Sequence, residues 1–178
     1  MFKLRVSVGI TAMLIAALAA GCGSSDSSTE TTTTATAGAN ERLTTAQWDE
    51  YLTERAALRK ANAAATATLK KCSAVSGFQN SAELQTCVGD TFTTLATVTA
   101  DAYTTVEGFQ STVSGDCATA TAALLNNLGT YRASAAGMQR TIDSETLAGY
   151  PAASQDLQVS LTSGKSEAQT FEKDCAPA

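Results

Sequence analysis

Two segments in the second half of the chain place apolar residues at alternating intervals of four and three. The members of the first are Cys117, Thr121, Leu124, Leu128, Tyr131, Ala135, Met138 and Ile142, and those of the second are Leu157, Leu161, Gly164, Ala168, Phe171 and Cys175. Because an α-helix completes a turn in about 3.6 residues, these intervals keep the side chains on one face. The pattern is typical of the seam of a helix that packs lengthwise against other helices. It predicts an all-α fold.

The first half of the domain carries helical signals of the same kind. In "LTTAQW", Thr44 has the position of an N-cap and Gln47 that of its capping-box partner, so a first helix should begin near Thr45. Leu43 and Trp48 have the spacing of a hydrophobic staple. The predicted apolar stripe of this helix, interrupted at Asn62, consists of Trp48, Leu52, Ala56, Leu69 and Cys72.

A second helix is predicted as one continuous element of about eight turns, capped near Asn80 and Glu83. Its apolar residues are Leu84, Val88, Phe92, Leu95, Val98, Ala102, Val106, Phe109 and Val113. Gly115 marks a turn before the third helix, and Pro151 suits the first turn of the fourth. Because short connections join long helices, neighbours should be antiparallel. We therefore predict an antiparallel up-down-up-down four-helix bundle over residues 43–178.

Four cysteines lie near the ends of the predicted helices. Helices of about 25 to 33 residues are roughly 37 to 50 Å long, whereas the Cα atoms of a disulfide lie within about 7 Å of each other. Of the three possible connectivities, only Cys72–Cys87 and Cys117–Cys175 fit without crossing the bundle. We predict these two disulfides.

The N-terminus has the layout of a secretory signal. Lys3 and Arg5 precede the uncharged apolar run 6–20, as a basic region precedes the apolar core of a signal peptide. At about 1.5 Å per residue the run spans roughly 22 Å, less than the ~30 Å hydrocarbon core of a bilayer. A permanent transmembrane helix is the alternative.

The run ends in "LAAGC", with small residues at Ala20 and Gly21 directly before Cys22. This resembles the lipobox of bacterial lipoproteins, with Ala19 where Leu is more usual. The resemblance implies a signal peptide at 1–21 and a Cys22 that is acylated at sulfur and becomes the mature N-terminus. It also leaves an even number of cysteines to pair. The alternative is a free or disulfide-bonded Cys22 in an ordinary secreted protein.

Residues 22–42 form the predicted anchor and tether. After Cys22 they are Gly, Ser, Thr, Ala and acidic residues, a composition too poor in apolar side chains to fold alone. A flexible spacer of this length has a reach on the order of 25 Å.

Composition narrows the range of functions. The chain has no His, the commonest general base and a common metal ligand, and we predict no catalytic residue, metal or cofactor. Without Lys3 and Arg5, 10 basic and 17 acidic residues remain. This acidic balance argues against nucleic acid as a partner.

We predict an extracytoplasmic, non-catalytic envelope lipoprotein, bound to the bacterial cell membrane through the lipid on Cys22. Its role would be structural or interaction with an unidentified envelope protein. The alternative is a small-ligand-binding or sensory bundle, in which Tyr131 opposite Gly164 would border a ligand cavity. An enzyme is a third class, and it would need a cleft with strongly perturbed carboxylates.

Overall fold

A computed structural model describes residues 41–76, 81–144 and 147–178, and in these ranges the regular structure is entirely helical. The five helices are α1 (Thr45–Ser76), α2 (Ser81–Val88), α3 (Thr91–Phe109), α4 (Gly115–Asp143) and α5 (Tyr150–Cys175). The prediction of an all-α fold is confirmed. The signal peptide 1–21, Cys22, most of the tether and the cap at Asn80 lie outside the described residues.

The start of α1 agrees with the sequence prediction. The Thr44 backbone N–H donates to Oε1 of Gln47 at 3.0 Å, and the Gln47 N–H donates to Oγ1 of Thr44 at 3.3 Å. These reciprocal bonds satisfy two N–H groups that a helix start leaves without an intrahelical partner. Leu43 and Trp48 pack against the same apolar cluster. The predicted capping box is therefore confirmed.

The buried face of α1 differs from the predicted stripe. Leu52 is 38% exposed and Ala56 is also exposed. The face turned inward instead repeats every seven residues, at Tyr51, Leu58, Ala65 and Cys72. The predicted stripe was wrong at Leu52 and Ala56 because each step of four residues advances about 40° around a helix, away from the inner face. Asn62, counted as an interruption, lies on the inner side.

The predicted continuous second helix is wrong, because the chain forms two helices there. α2 ends at Val88 and α3 begins at Thr91. Between them Gly89 has a φ of 51°, a left-handed conformation that glycine adopts at little cost and that ends a helix. Val113 also lies beyond the end of α3. The apolar spacing continues across the break, which is why periodicity alone does not detect it.

α4 is the most buried helix, and its predicted seam is buried along its full length. It packs against both α3 and α5, while α1 packs mainly against α3. Near the start of α4, Cys117 is bonded to Cys175 at the end of α5. Near its other end, Thr141 lies beside Gly149, just before α5. Pro151 is in the first turn of α5, as predicted.

The cysteine pairs are those that the helix lengths predict. The Cα atoms of Cys72 and Cys87 are 5.6 Å apart, and those of Cys117 and Cys175 are 4.8 Å apart. The first disulfide joins α1 to α2 and the second joins α4 to α5. Each disulfide therefore joins two helices close to their ends.

Candidate functional site

A cleft of about 530 Å³ lies between α1 and α5, with α3 and α4 forming its floor. Sites for small molecules typically enclose about 300 to 1,000 Å³. The cleft arises because α1 packs mainly on α3 and α5 packs mainly on α4. The middle parts of α1 and α5 are thereby left as facing walls.

Both residues predicted to border a cavity line this cleft. Tyr131 lies on α4 and Gly164 on α5. The phenol of Tyr131 is 3% exposed, and its hydroxyl donates a hydrogen bond to Oδ1 of Asn62 on α1. Gly164 faces Asn127, and a Cβ at Gly164 would lie 3.3 Å from Cγ of that side chain and closer still to its Oδ1.

Among the lining residues that sequence reasoning missed, Asn62 and Asn127 form the hydrogen bonds next to Tyr131 and Gly164. Nδ2 of Asn127 donates to the Ser160 carbonyl of α5 at 3.1 Å, and Asn62 accepts from Tyr131. A signal for Asn127 was available, because it directly precedes Leu128 of the predicted seam. A polar residue beside a seam is common on helix surfaces, however, so the pattern alone does not assign it a role.

Burial raises the pKa of Tyr131 to about 12 from its ordinary 10.0. A phenol with this pKa is neutral at physiological pH. Tyr131 therefore serves as a hydrogen-bond donor in the floor of the cleft, and general-base chemistry at neutral pH is unavailable to it.

The floor and walls are largely apolar. Val106, Leu124 and Leu128 are buried beneath the cleft, and Leu161 and Ala168 of α5 line its wall. These two α5 residues lie on the predicted seam, yet they are only half-buried. The seam of α5 is incompletely covered beside the cleft because α1 packs mainly on α3. Apolar surface therefore faces a solvent-accessible space.

The polar groups beneath the cleft are already hydrogen-bonded. Ser160 Oγ donates to the Asp156 carbonyl at 2.8 Å and lies 3.1 Å from Oγ of Ser134. Across the ranges that the structure describes, no buried side-chain nitrogen or oxygen lacks a hydrogen-bond partner. A ligand is therefore not required to satisfy polar atoms of the floor.

Charged side chains line the mouth of the cleft. Arg55, Arg59 and Lys165 supply three cations, against one carboxylate from Glu54. Nη2 of Arg55 is 2.7 Å from Oε1 of Glu172 on α5. This ion pair connects the two walls.

The ion pair is part of a small cluster near one end of the cleft. The Tyr51 hydroxyl also donates to Oε1 of Glu172, at 2.9 Å. Burial, followed by the bond to this carboxylate, raises the pKa of Tyr51. The ring of Tyr51 lies 4.7 Å from that of Phe171, centroid to centroid. Apolar and polar contacts thus hold α1 against α5 here.

A second concavity of about 830 Å³ follows the outer surface of α4 and α5. It is an open groove lined by small or polar residues, such as Ala133, Gly137 and Ala153, and by Val159, which is 61% exposed. It contains neither Tyr131 nor Gly164. Its few large apolar residues make it a poorer small-molecule site than the cleft.

Within residues 41–76, 81–144 and 147–178, no three His, Cys, Asp or Glu residues come together as a metal site would require. None of the helices in the same ranges combines the length and hydropathy needed to cross a bilayer. No family model, curated protein or solved structure matches the chain.

Proposed function

We propose that this chain is an extracytoplasmic bacterial lipoprotein whose helical domain binds a small molecule in the cleft between α1 and α5. The observation that carries the proposal is the cleft itself, which has an apolar lining and contains both Tyr131 and Gly164. The sequence by itself favours a structural or protein-interaction role. The cleft favours the ligand-binding alternative, because the half-buried seam of α5 leaves apolar surface accessible to a ligand.

We propose that the fold is an up-down-up-down four-helix bundle. In it, α2 and α3 together take the place of the second helix. The pairing of Cys117 with Cys175 and the proximity of Thr141 to Gly149 support opposite directions for α4 and α5. In such a bundle α1 and α5 lie next to each other and form the two walls of the cleft.

The proposed role is binding and not catalysis. The absence of His from the whole chain supports this, since general acid–base and nucleophilic sites most often use that residue. Because Asn62 takes the hydrogen of the Tyr131 hydroxyl, Tyr131 offers a ligand only its oxygen, as a hydrogen-bond acceptor.

The proposed anchor is a lipid on Cys22. Two acyl chains suffice for stable membrane attachment, because each buried CH₂ contributes about 0.8 kcal/mol. The N–H of Leu43 donates to the Cys175 carbonyl at 3.1 Å, and the N–H of Ser114 donates to the Glu41 carbonyl at 3.1 Å. These bonds hold Glu41 and Leu43 at the end of the domain where Cys117 pairs with Cys175.

Replacing Cys22 tests the anchor. In a detergent phase separation, the parent should partition with the detergent, whereas Cys22→Ser should remain unprocessed or appear in the aqueous phase. A membrane-bound parent that has the mass of the full chain without a lipid would mean that the apolar run 6–20 is the anchor.

A ligand screen tests the cleft. A ligand at a hundred times its dissociation constant should add about 2.7 kcal/mol of stability, which is a rise in Tm on the order of 10 °C for a domain of this size. Ala63 lines the cleft, whereas its exposed neighbour Ala64 does not. Ala63→Trp should therefore abolish the shift and Ala64→Trp should retain it. Absence of any shift across a broad metabolite panel would favour the structural role.

A further inference from the structure

We propose that the ligand of this cleft is a soluble anionic amphiphile, a molecule with an apolar body and one carboxylate or phosphate group. We assign Arg59 and Lys165 as the residues that bind its charged group. This inference rests on the proposed function, because it names the chemical class that the cleft would accept.

Positive charge is concentrated at the cleft. Three cations and one carboxylate line the cleft, although acidic residues outnumber basic ones in the whole chain by 17 to 12. Arg55 already pairs with Glu172. In the part of the chain that the structure describes, no ion pair involves Arg59 or Lys165. Those two cations stand on opposite walls and remain available to a ligand.

Two of the cations lie one helical turn apart on α1. Arg55 and Arg59 are four residues apart and both line the cleft. Like charges at this helical interval repel each other and weaken a helix. Glu172 offsets the repulsion at Arg55. An anionic ligand between Arg59 and Lys165 would offset it at the other position.

The lining beneath the cations is apolar. Val106, Leu124 and Leu128 form an apolar floor whose neighbouring polar atoms are already hydrogen-bonded. A purely polar anion would leave this floor hydrated, whereas an apolar body would remove it from water. Lining residues on α1 extend from Tyr51 to Thr66, a rise of roughly 22 Å. The space therefore suits an elongated apolar body.

Four probes separate the parts of this proposal. Decanoate and decyl phosphate carry an apolar chain and an anion, decanol carries the chain alone, and inorganic phosphate carries the charge alone. Binding of each to the mature protein is measured by thermal shift and native mass spectrometry, below the micellar concentration. We expect decanoate and decyl phosphate to bind and the other two to bind at least tenfold more weakly.

Charge reversal tests the two assigned residues. Arg59→Glu and Lys165→Glu should each weaken decanoate binding by about tenfold or more, as loss of a charge-assisted bond predicts. The matched controls are Lys60→Glu on α1 and Lys173→Glu on α5, which are exposed and outside the cleft. They should change the affinity less than about threefold. Circular dichroism without ligand checks that each variant folds.

The outcomes distinguish this inference from the proposed function. If decanol bound as tightly as decanoate, the anionic class would be overturned and a ligand cleft would remain. The same would follow if all four charge-reversal variants bound decanoate with the affinity of the parent. No shift with these probes or with a broad metabolite panel would overturn both.

A vesicle-binding experiment tests whether the protein recognises a soluble amphiphile or the headgroups of a lipid surface. Vesicles of phosphatidylglycerol should not retain the protein that lacks its own lipid anchor. Retention that is unchanged in Ala63→Trp would place anion recognition on the protein surface and overturn the assignment to the cleft.

Discussion

At the scale of single residues, the shape of the cleft depends on a glycine that leaves room for an amide. Alanine is normally better than glycine within a helix by about 1 kcal/mol. At Gly164 a Cβ would collide with Asn127, displacing a buried side chain that bonds to the Ser160 carbonyl. Overpacking of this kind costs about 1 to 3 kcal/mol.

We therefore expect Gly164→Ala to lower the free energy of unfolding by about 1 kcal/mol, measured by chemical denaturation. Gly108 in α3 is the control, because a Cβ there would meet no atom within 4 Å. Gly108→Ala should stabilise the protein by about 0.5 to 1 kcal/mol. Equal stabilisation by both substitutions would show that Asn127 moves aside without cost.

Tyr131 should make the protein less stable at alkaline pH. Its pKa is about 12 in the folded protein and 10.0 when unperturbed, so the unfolded chain loses this proton first as the pH rises. The contribution of Tyr131 to stability is therefore fully present below pH 10 and is lost as the pH rises through 12. Tyr51 and Tyr150, whose pKa values burial also raises, act in the same direction.

Tyr131→Phe should isolate this contribution. At pH 7 the variant should lose about 1 kcal/mol with the hydrogen bond to Asn62. The gap in Tm between parent and variant should then narrow from pH 10 towards pH 12, because only the parent can ionise Tyr131. The contributions of Tyr51 and Tyr150 cancel in this comparison. A gap that stays constant with pH would contradict the raised pKa.

At the scale of helices, a side chain from α4 secures the break between α2 and α3. Oε1 of Gln139 accepts from the Phe92 N–H at 3.1 Å, and Nε2 of Gln139 donates to the Gly89 carbonyl at 2.9 Å. Asp90 stands at the N-cap position of α3 but forms no side-chain capping bond. Gln139, which is 7% exposed, therefore supplies the cap from another helix.

Gln139→Leu should leave the Phe92 N–H and the Gly89 carbonyl without this partner, at a cost of about 2 kcal/mol in the free energy of unfolding. Amide exchange at Phe92 should accelerate relative to the middle of α3. Gln158→Leu, on the exposed surface of α5, should change neither quantity. If Gln139→Leu behaved like this control, the break would not depend on the cap.

At the scale of the whole molecule, the two disulfides enclose segments of very different length. Cys72 and Cys87 are 15 residues apart, whereas Cys117 and Cys175 are 58 residues apart. The longer segment restricts the unfolded chain more, by about 1 kcal/mol in the loop-entropy account. α5 also depends on its bond, because only Ser160, Phe171 and Cys175 are buried on that helix.

The pair Cys117→Ser with Cys175→Ser should therefore lower the Tm more than Cys72→Ser with Cys87→Ser. In limited proteolysis of the first variant, the earliest cuts should fall in α5, in the segment that follows Pro151. Non-reducing peptide mapping of the parent comes first, because a peptide that joins Cys72 to Cys117 or Cys175 would contradict the connectivity. A larger loss of Tm in the Cys72/Cys87 variant would contradict the loop-entropy argument.

The sequence alone determined the features that depend on local signals. Thr44 and Gln47 define the start of α1, because a capping box needs only four consecutive residues. The seam of α4 is buried as its spacing predicts, because helices cover that face along its whole length. The cysteine pairs follow from helix lengths and the short reach of a disulfide. The segment before α1, with Cys22, remains a prediction.

The tertiary structure determined which surfaces are covered. The seam of α5 has the same spacing as that of α4, yet Leu161 and Ala168 are half-buried because α1 packs mainly on α3. Asn62 lies inward because Tyr131 of another helix supplies its hydrogen bond. Burial depends on the neighbour that covers a face, and spacing along one helix carries no information about that neighbour. The cleft is the result of such an uncovered face, so it became visible only when the helices were assembled.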